Sequence, residues 1–278
     1  MPHVDEMPQQ PVSDPGAVQN ALLAIDIGNT NIHLGLWHNG AWIVSWRMRT
    51  VANKMPDEYA VLLRNFLGGA NLTYDVISGV AIGSVVPRLT LTFEELVRNY
   101  LRIKPLVVNH ATKTGIRVEI DQPEQAGADR IINTAAVAAL YKPPAIVIDF
   151  GTATTFDVVS ADGAYRGGAI APGINLSQDA LVSQAAKLHK VDLVPPPSAI
   201  GANTIHAMQS GIFFGYIAMI EGMVARIKAA MGDESIQVIA TGGLARVFNQ
   251  HTDVFDLLAP QLTLDGLRII YEMNHDGV

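Results

Sequence analysis

An acidic, glycine-bearing turn occurs twice in this chain, as Asp26-Ile-Gly-Asn-Thr-Asn31 and as Asp149-Phe-Gly-Thr-Ala-Thr-Thr155. Each copy follows an apolar run that reads as a β-strand. In both, Asp closes the strand, Gly comes two residues later and a hydroxyl residue follows. Such a turn suits backbone amides and hydroxyls that approach phosphate oxygens while a carboxylate holds a cation. The same residue types also build ordinary tight turns between strands, so one copy would decide little. The second Asp, however, follows the first by 123 residues, close to the length of a small domain. Each copy also sits at the same place in a strand, turn, strand pattern. The repeat therefore favours phosphate binding and predicts two related halves facing one nucleotide.

Composition narrows the alternatives. A length of 278 residues corresponds to about two domains. Hydrophobic residues make up 49% and charged residues 16%, and no continuous apolar stretch has the roughly 18 residues that a membrane span needs. A net charge of −7 without any basic run argues against a nucleic-acid surface. There is no cysteine, which removes disulfides, thiol catalysis and cysteine metal sites; a cytoplasmic location fits. The eight histidines show no short helical spacing of the kind zinc enzymes use, and read as surface or packing residues.

Residues 1–20, rich in Pro, Gln and Asp, read as a flexible extension without the apolar core of a secretion signal. Ordered structure is expected from Leu22, where Leu-Leu-Ala-Ile-Asp-Ile forms a strand buried on both faces. Strands follow at Ile32 to Trp37 and Trp42 to Arg49, joined by a hairpin turn at Asn39-Gly40. Tyr59, Leu62, Leu63 and Phe66 fall at i, i+3, i+4 and i+7 behind Pro56-Asp57, which predicts a helix over Asp57 to Leu67. A buried strand at Val76 to Val85, a helix at Leu91 to Leu101 and a short strand at Pro105 to Val108 complete an α/β half over residues 21–126.

The second half, residues 127–278, repeats the plan with strands at Ala145 to Asp149, Thr154 to Val159 and Ala164 to Ile170, the last two joined through Ala161-Asp162-Gly163. A long apolar helix over Ala207 to Met231 precedes a strand at Ser235 to Thr241. That strand ends in Gly242-Gly243, a pair that lets a ligand approach the backbone closely, here assigned to the adenine or ribose side. Gly127-Ala128-Asp129-Arg130 opens an amphipathic helix running to Leu140, which puts Asp129 and Arg130 in its first turn. Asp129 there either complements the positive helix end, worth about 0.3–1 kcal/mol, or accepts the proton of an attacking hydroxyl while Arg130 steadies an anionic substrate.

Asp26-Ile-Gly-Asn-Thr-Asn31, Gly127-Ala128-Asp129-Arg130, Asp149-Phe-Gly-Thr-Ala-Thr-Thr155 and Thr241-Gly-Gly-Leu-Ala245 occur in that order and spacing, together with Gly167 to Gly173, Ile200 to Thr204 and Met208 to Gly211. In these strings, from about Leu22 to Asn274, the chain resembles type III pantothenate kinase. The resemblance implies the actin-like, ribonuclease H-like ATPase fold of two related α/β domains with a nucleotide cleft between them. It implies transfer of the ATP γ-phosphoryl group to the 4′-hydroxyl of pantothenate, opening coenzyme A synthesis. By the same resemblance, Asp26, Ile27, Gly28, Asn29, Thr30, Asn31, Ile32 and His33 line the ATP phosphates, with Asp26 near the metal, and Thr152 contacts ATP from the second half. Asp129 is the base. Gly127, Ala128, Asp129, Arg130 and Thr204 contact pantothenate, and Asp149 binds a potassium or ammonium ion, with magnesium accompanying ATP. Homodimers are expected, which offers a use for the apolar stretch Ile212 to Met223; the same stretch also suits a helix buried within one chain.

One position departs from the pattern: where family members commonly carry Tyr, seven residues before Gly127, this chain has Ile120, which puts that substrate contact in doubt. Two other readings stay open on the residues. One is a nucleotide-binding regulatory or accessory protein of the same fold, against which intact Asp26, Asp129 and Asp149 argue. The other is an actin-like kinase or phosphatase for a different small substrate, such as a sugar or polyphosphate.

Overall fold

The computed structural model describes residues 15–275, and these form two compact units. The first takes the described residues up to Tyr141 and those from Gln261; the second is Lys142–Pro260. The first fourteen residues of the expected extension lie outside the described ones. Its remainder is folded: Pro15–Ala17 makes a short 3₁₀ turn, and Val18 is buried in the first core.

In the first unit, β1 (Ala21–Ile27), β2 (Asn31–His38) and β3 (Ala41–Arg49) form an antiparallel meander. The β2–β3 hairpin turns at Asn39 and Gly40, both at positive φ (47° and 81°), a pairing that matches the right-handed strand twist. Helix α1 (Pro56–Gly69) leads to β4 (Ile77–Ser84), which runs parallel to β1. Helix α2 (Pro87–Leu96) starts four residues earlier than expected, with Pro87 in its first turn, and ends in a π-helical turn at Val97–Leu101. Strand β5 (Leu106–Val107) closes the sheet, whose order is β3-β2-β1-β4-β5.

Next comes α3 (Ala128–Leu140), opening at Gly127 as expected. In the second unit, β6 (Ala145–Phe150), β7 (Ala153–Val159) and β8 (Tyr165–Pro172) repeat the antiparallel meander. Helices α4 (Ile174–Gln184), α5 (Thr204–Gln209) and α6 (Gly215–Met231) follow, the last two joined by a π-helical turn at Ser210–Phe214. Strand β9 (Gln237–Gly242), α7 (Ala245–Asn249) and β10 (Leu257–Leu258) complete it, with β9 and β10 parallel to β6. The chain then returns to the first unit as α8 (Leu262–His275).

The second sheet has the order β10-β9-β6-β7-β8. Read from the other edge, this is the first sheet again, with β6 in the place of β1 and β9 in the place of β4. The duplication inferred from two turns is thus a duplication of strand order and direction, the two related α/β units of an actin-like fold.

Strand β1 is apolar on both faces because both are covered. Leu23, Ile25 and Ile27 pack with Tyr59, Leu63, Leu89 and Phe93 of α1 and α2, while Leu22 and Ala24 pack with Ile132, Ala135, Leu264, Leu267 and Ile270 of α3 and α8. Each such buried aliphatic side chain contributes about 1.5–3 kcal/mol. The boundary expected at Gly127 therefore moves to Tyr141: α3 completes the first unit's second layer. Helix α8, not among the expected helices, is tied there by Trp42 Nε1 donating to Asp265 Oδ1 (2.8 Å) and Thr263 Oγ1 donating to Asn133 Oδ1 (2.8 Å).

In the second unit, Ile146, Ile148, Phe150 and Phe156 form a core with Phe213, Tyr216, Ile217, Ile220 and Phe248. Thr204–Met231 is one 28-residue helical run whose length and mean hydropathy of 1.3 would by themselves suit a membrane span, yet Glu221, Arg226 and Lys228 interrupt it, so it contains no continuous apolar stretch of about 18 residues. Phe213, Tyr216, Ile217, Ile220 and Val224 are buried in the second core and Ile212, Phe214, Met219, Met223 and Ile227 pack partly buried against it, while the exposed positions of the run are mostly small or charged, among them Gly211, Gly215, Ala218, Glu221, Ala225 and Arg226.

Candidate active site

In the first unit the β1–β2 turn is braced at both ends. The Gly28 amide donates to Asn31 O (3.0 Å), Thr50 Oγ1 donates to Gly28 O (2.7 Å) and the Thr50 amide donates to Thr30 O (2.9 Å). Thr50, just past β3, is a supporting residue that the motif does not contain. Asn29, Thr30 and Asn31 are exposed at the tip, whereas Ile27 and Ile32 are fully buried in the core. Those two can meet a phosphate only through their backbone.

Asp26 pairs in register with His33 of β2 and Gly83 of β4, and His33 with Arg47 of β3. Paired residues share a sheet face, so Arg47, His33 and Asp26 form one row. Burial, helped by the Arg47 charge, pushes the His33 pKa down to about 3, which keeps its imidazole neutral at ordinary pH. His33 is therefore a neutral hydrogen-bonding group beside Asp26, not a cation for phosphate.

Asp129 and Arg130 lie in the first turn of α3, and Asp129 Oδ1 accepts the Arg130 amide (2.9 Å). One carboxylate oxygen thus performs the helix-end role. Ile132 packs its Cδ1 over Gly83, the register neighbour of Asp26, which brings the start of α3 to the end of the sheet that carries the β1–β2 turn. Ala128 and Ile131 also line a cavity of about 720 Å³ with His110, Lys113, Ile116 and Val118. Ile120 is partly buried and is not one of its lining residues.

In the second unit the Gly151 amide donates to Ala153 O and the Gly173 amide to Thr152 O, both at 3.0 Å. Gly173 begins α4, and a Cβ there would fall 2.4 Å from Thr152 O, so the helix start seats directly against the turn only because this residue has no side chain. Thr152 is exposed at the tip. Asp149 pairs with Thr155 of β7 and Thr241 of β9, giving a row of oxygen donors around one carboxylate. Gly242, at φ +88°, packs so closely that an added Cβ would lie 2.7 Å from Asp149 Oδ1 and 2.6 Å from Phe150 N. Gly242 therefore seats the end of β9 against Asp149, while a Cβ at Gly243 would meet open space.

Thr204 is exposed at the start of α5, which Asn203 caps through Oδ1 and the His206 amide (2.9 Å). With Asn203 it lines a groove of about 790 Å³ whose other walls are mainly apolar, among them Ile174, Leu181, Met208 and Ile212.

Chemically, two glycine-bearing turns with a carboxylate at each strand end suit a phosphorylated ligand with its cations, and a carboxylate followed by Arg at a helix start suits an acidic substrate with a reacting hydroxyl. A family model described as type III pantothenate kinase matches residues 22–226. The type III pantothenate kinase of Roseiflexus sp. (strain RS-1) is 51% identical over 253 residues, covering 91% of this chain and 99% of the relative. That of Dehalococcoides mccartyi (strain CBDB1) is 45% identical over 258 residues, covering 93% and 98%. Among solved structures, component A of the (R)-2-hydroxyglutaryl-CoA dehydratase of Acidaminococcus fermentans shares the fold, with a TM-score of 0.53 at 12% identity over 91% of this chain and 96% of that one.

Proposed function

The chain belongs to the type III pantothenate kinase family, and we propose that it transfers the ATP γ-phosphoryl group to the 4′-hydroxyl of pantothenate, an ATP-dependent step of coenzyme A biosynthesis. The observation that carries this is the recurrence of the Asp-x-Gly turn at the same strand end of two sheets with the same strand order.

The exposed tip of Asn29, Thr30 and Asn31 holds the ATP phosphates, helped by the Thr30 hydroxyl, while Gly28, whose own amide is taken by Asn31 O, closes the turn beneath them; Ile27 and Ile32 contribute backbone alone and His33 stays neutral beside Asp26. Thr152 contacts ATP through the second turn. Gly127 to Arg130 and Thr204 bind pantothenate, with Arg130 paired to its carboxylate. Asp129 takes the 4′-hydroxyl proton on Oδ2, leaving Oδ1 with the helix. The 4′-oxygen forms its bond to γ-phosphorus as the bond from γ-phosphorus to the bridging oxygen breaks, and ADP leaves with that electron pair. Positioning and charge neutralisation supply most of the acceleration of such a step, and a positioned base adds roughly 10²–10⁴-fold.

Two ions complete the reading. The residues fit a monovalent cation at Asp149, since the row there offers only oxygen and Gly242 leaves the carboxylate uncrowded. Potassium or ammonium bound there, and magnesium with ATP near Asp26, neutralise phosphate charge. The largely apolar groove beside Thr204, with Leu181, Met208 and Ile212 in its walls, supports a homodimer, and ATP as substrate supports a cytoplasmic location.

The test is ADP release by the purified protein with ATP, magnesium and pantothenate in potassium or sodium buffer, with a control lacking pantothenate. Pantothenate-dependent ADP, formed mainly with potassium, is expected. ADP formed equally without pantothenate, or none in either buffer, would overturn the proposed reaction.

A further inference from the structure

Behind Asp149 lies a buried polar chain that the phosphate-binding turns do not require. Thr155, Asp157 and Tyr165 are 8%, 1% and 1% exposed. Thr155 Oγ1 donates to Asp157 Oδ2 at 2.7 Å, and Tyr165 Oη donates to Asp157 Oδ1 at 3.1 Å. A carboxylate only accepts, and a hydroxyl has one proton to give. Asp157 therefore accepts the Thr155 hydrogen bond and leaves Thr155 Oγ1 presenting lone pairs on its other side. Thr155 pairs in register with Asp149 and stands on the same face, where paired Cβ atoms are about 4.5–5.5 Å apart. An oxygen with free lone pairs on the same face as a carboxylate suits a shared cation. Thr241, 2% exposed, flanks Asp149 from the other side.

We propose that Asp157 is a positioning residue: by accepting the Thr155 hydrogen bond it makes Thr155 Oγ1 a second oxygen ligand, beside Asp149, for the monovalent cation. This rests on the reading of Asp149 as the cation ligand. Asn at position 157 keeps the shape but has one acceptor oxygen for two hydroxyls; where that oxygen serves Tyr165, the NH₂ group donates to Thr155 Oγ1 and occupies the lone pairs the cation needs.

The experiment uses the full chain, measuring the potassium concentration that gives half-maximal ADP release and, separately, half of the rise in melting temperature as KCl replaces choline chloride. Asp157→Asn and Thr155→Val are expected to raise both concentrations by about 10- to 100-fold, the range for losing a supporting contact to a metal ligand. Thr155→Ser should stay near wild type. Tyr165→Phe should lower the melting temperature in choline chloride yet keep the potassium response, since Thr155 still donates to Asp157. Unchanged potassium half-saturation in Asp157→Asn and Thr155→Val would overturn the proposal and leave the network a role in folding alone. If Asp157→Asn does not fold, the Val and Ser variants at 155 decide by themselves. A wild type indifferent to potassium overturns the cation reading of Asp149 and this proposal with it, so the two failures are told apart by the wild-type titration.

Discussion

A single backbone position, Gly242, shows how closely the second turn is built. Its φ of +88° and the 2.6–2.7 Å approach of an added Cβ to Phe150 and Asp149 leave no room for a side chain. Gly242→Ala should destabilise by at least about 1–2 kcal/mol from the left-handed backbone alone and reduce turnover, read as a lower urea midpoint and slower ADP release. Asp129→Asn keeps the shape of α3 but removes the base; turnover should fall by roughly 10²–10⁴-fold with ATP affinity little changed, and retained turnover would refute the role given to Asp129. His33 predicts a pH effect. The folded chain holds it neutral down to about 3, while the unfolded chain takes a proton near the ordinary 6.5. Stability is therefore lost as pH falls from about 6.5 toward 3, at up to about 1.4 kcal/mol per pH unit. His33→Gln should flatten that slope in urea unfolding followed across pH. Asp26, Asp129 and Asp149 were legible as candidates because each sits in a local turn or helix-start pattern. Thr50 was not, because strand register brings it to Gly28, 22 residues earlier; Asp157 was not, because its neighbour Thr155 gains significance only from its register with Asp149.

Among the elements, the helices divide by how local their signal is. Helix α1 carries its own stripe and Pro56 at its start, and the β2–β3 hairpin its Asn-Gly turn, so both were readable. Helix α8 has a comparable stripe in Leu264, Leu267 and Ile270, but its partners are Ile132 and Ala135 of α3 and the face of β1, more than a hundred residues earlier. That packing moved α3 from the expected second half into the first unit. Leu267 is fully buried there, and Leu267→Ala should cost about 2–5 kcal/mol, measured by urea unfolding. A loss under 1 kcal/mol would mean that α8 is not needed to close that layer.

At the scale of the whole molecule, the largely apolar groove at Leu181 supports a homodimer, which light scattering at micromolar concentration should report as twice the 29.8 kDa chain mass. Leu181→Glu, which puts a charge into that groove, should shift the mass toward a monomer; a wild-type monomer would remove the prediction. The chain's residue pattern by itself determined the duplication, the α/β class, the strand ends that carry Asp26 and Asp149, and the family, because strand periodicity, turn chemistry and motif spacing are properties of neighbouring residues. Only the tertiary structure decided that the two sheets share one strand order, that α3 and α8 complete the first unit, and that Thr155 and Thr241 flank Asp149. Those facts depend on register and on packing between segments far apart in the chain, where burial of apolar area, not local propensity, selects the partner.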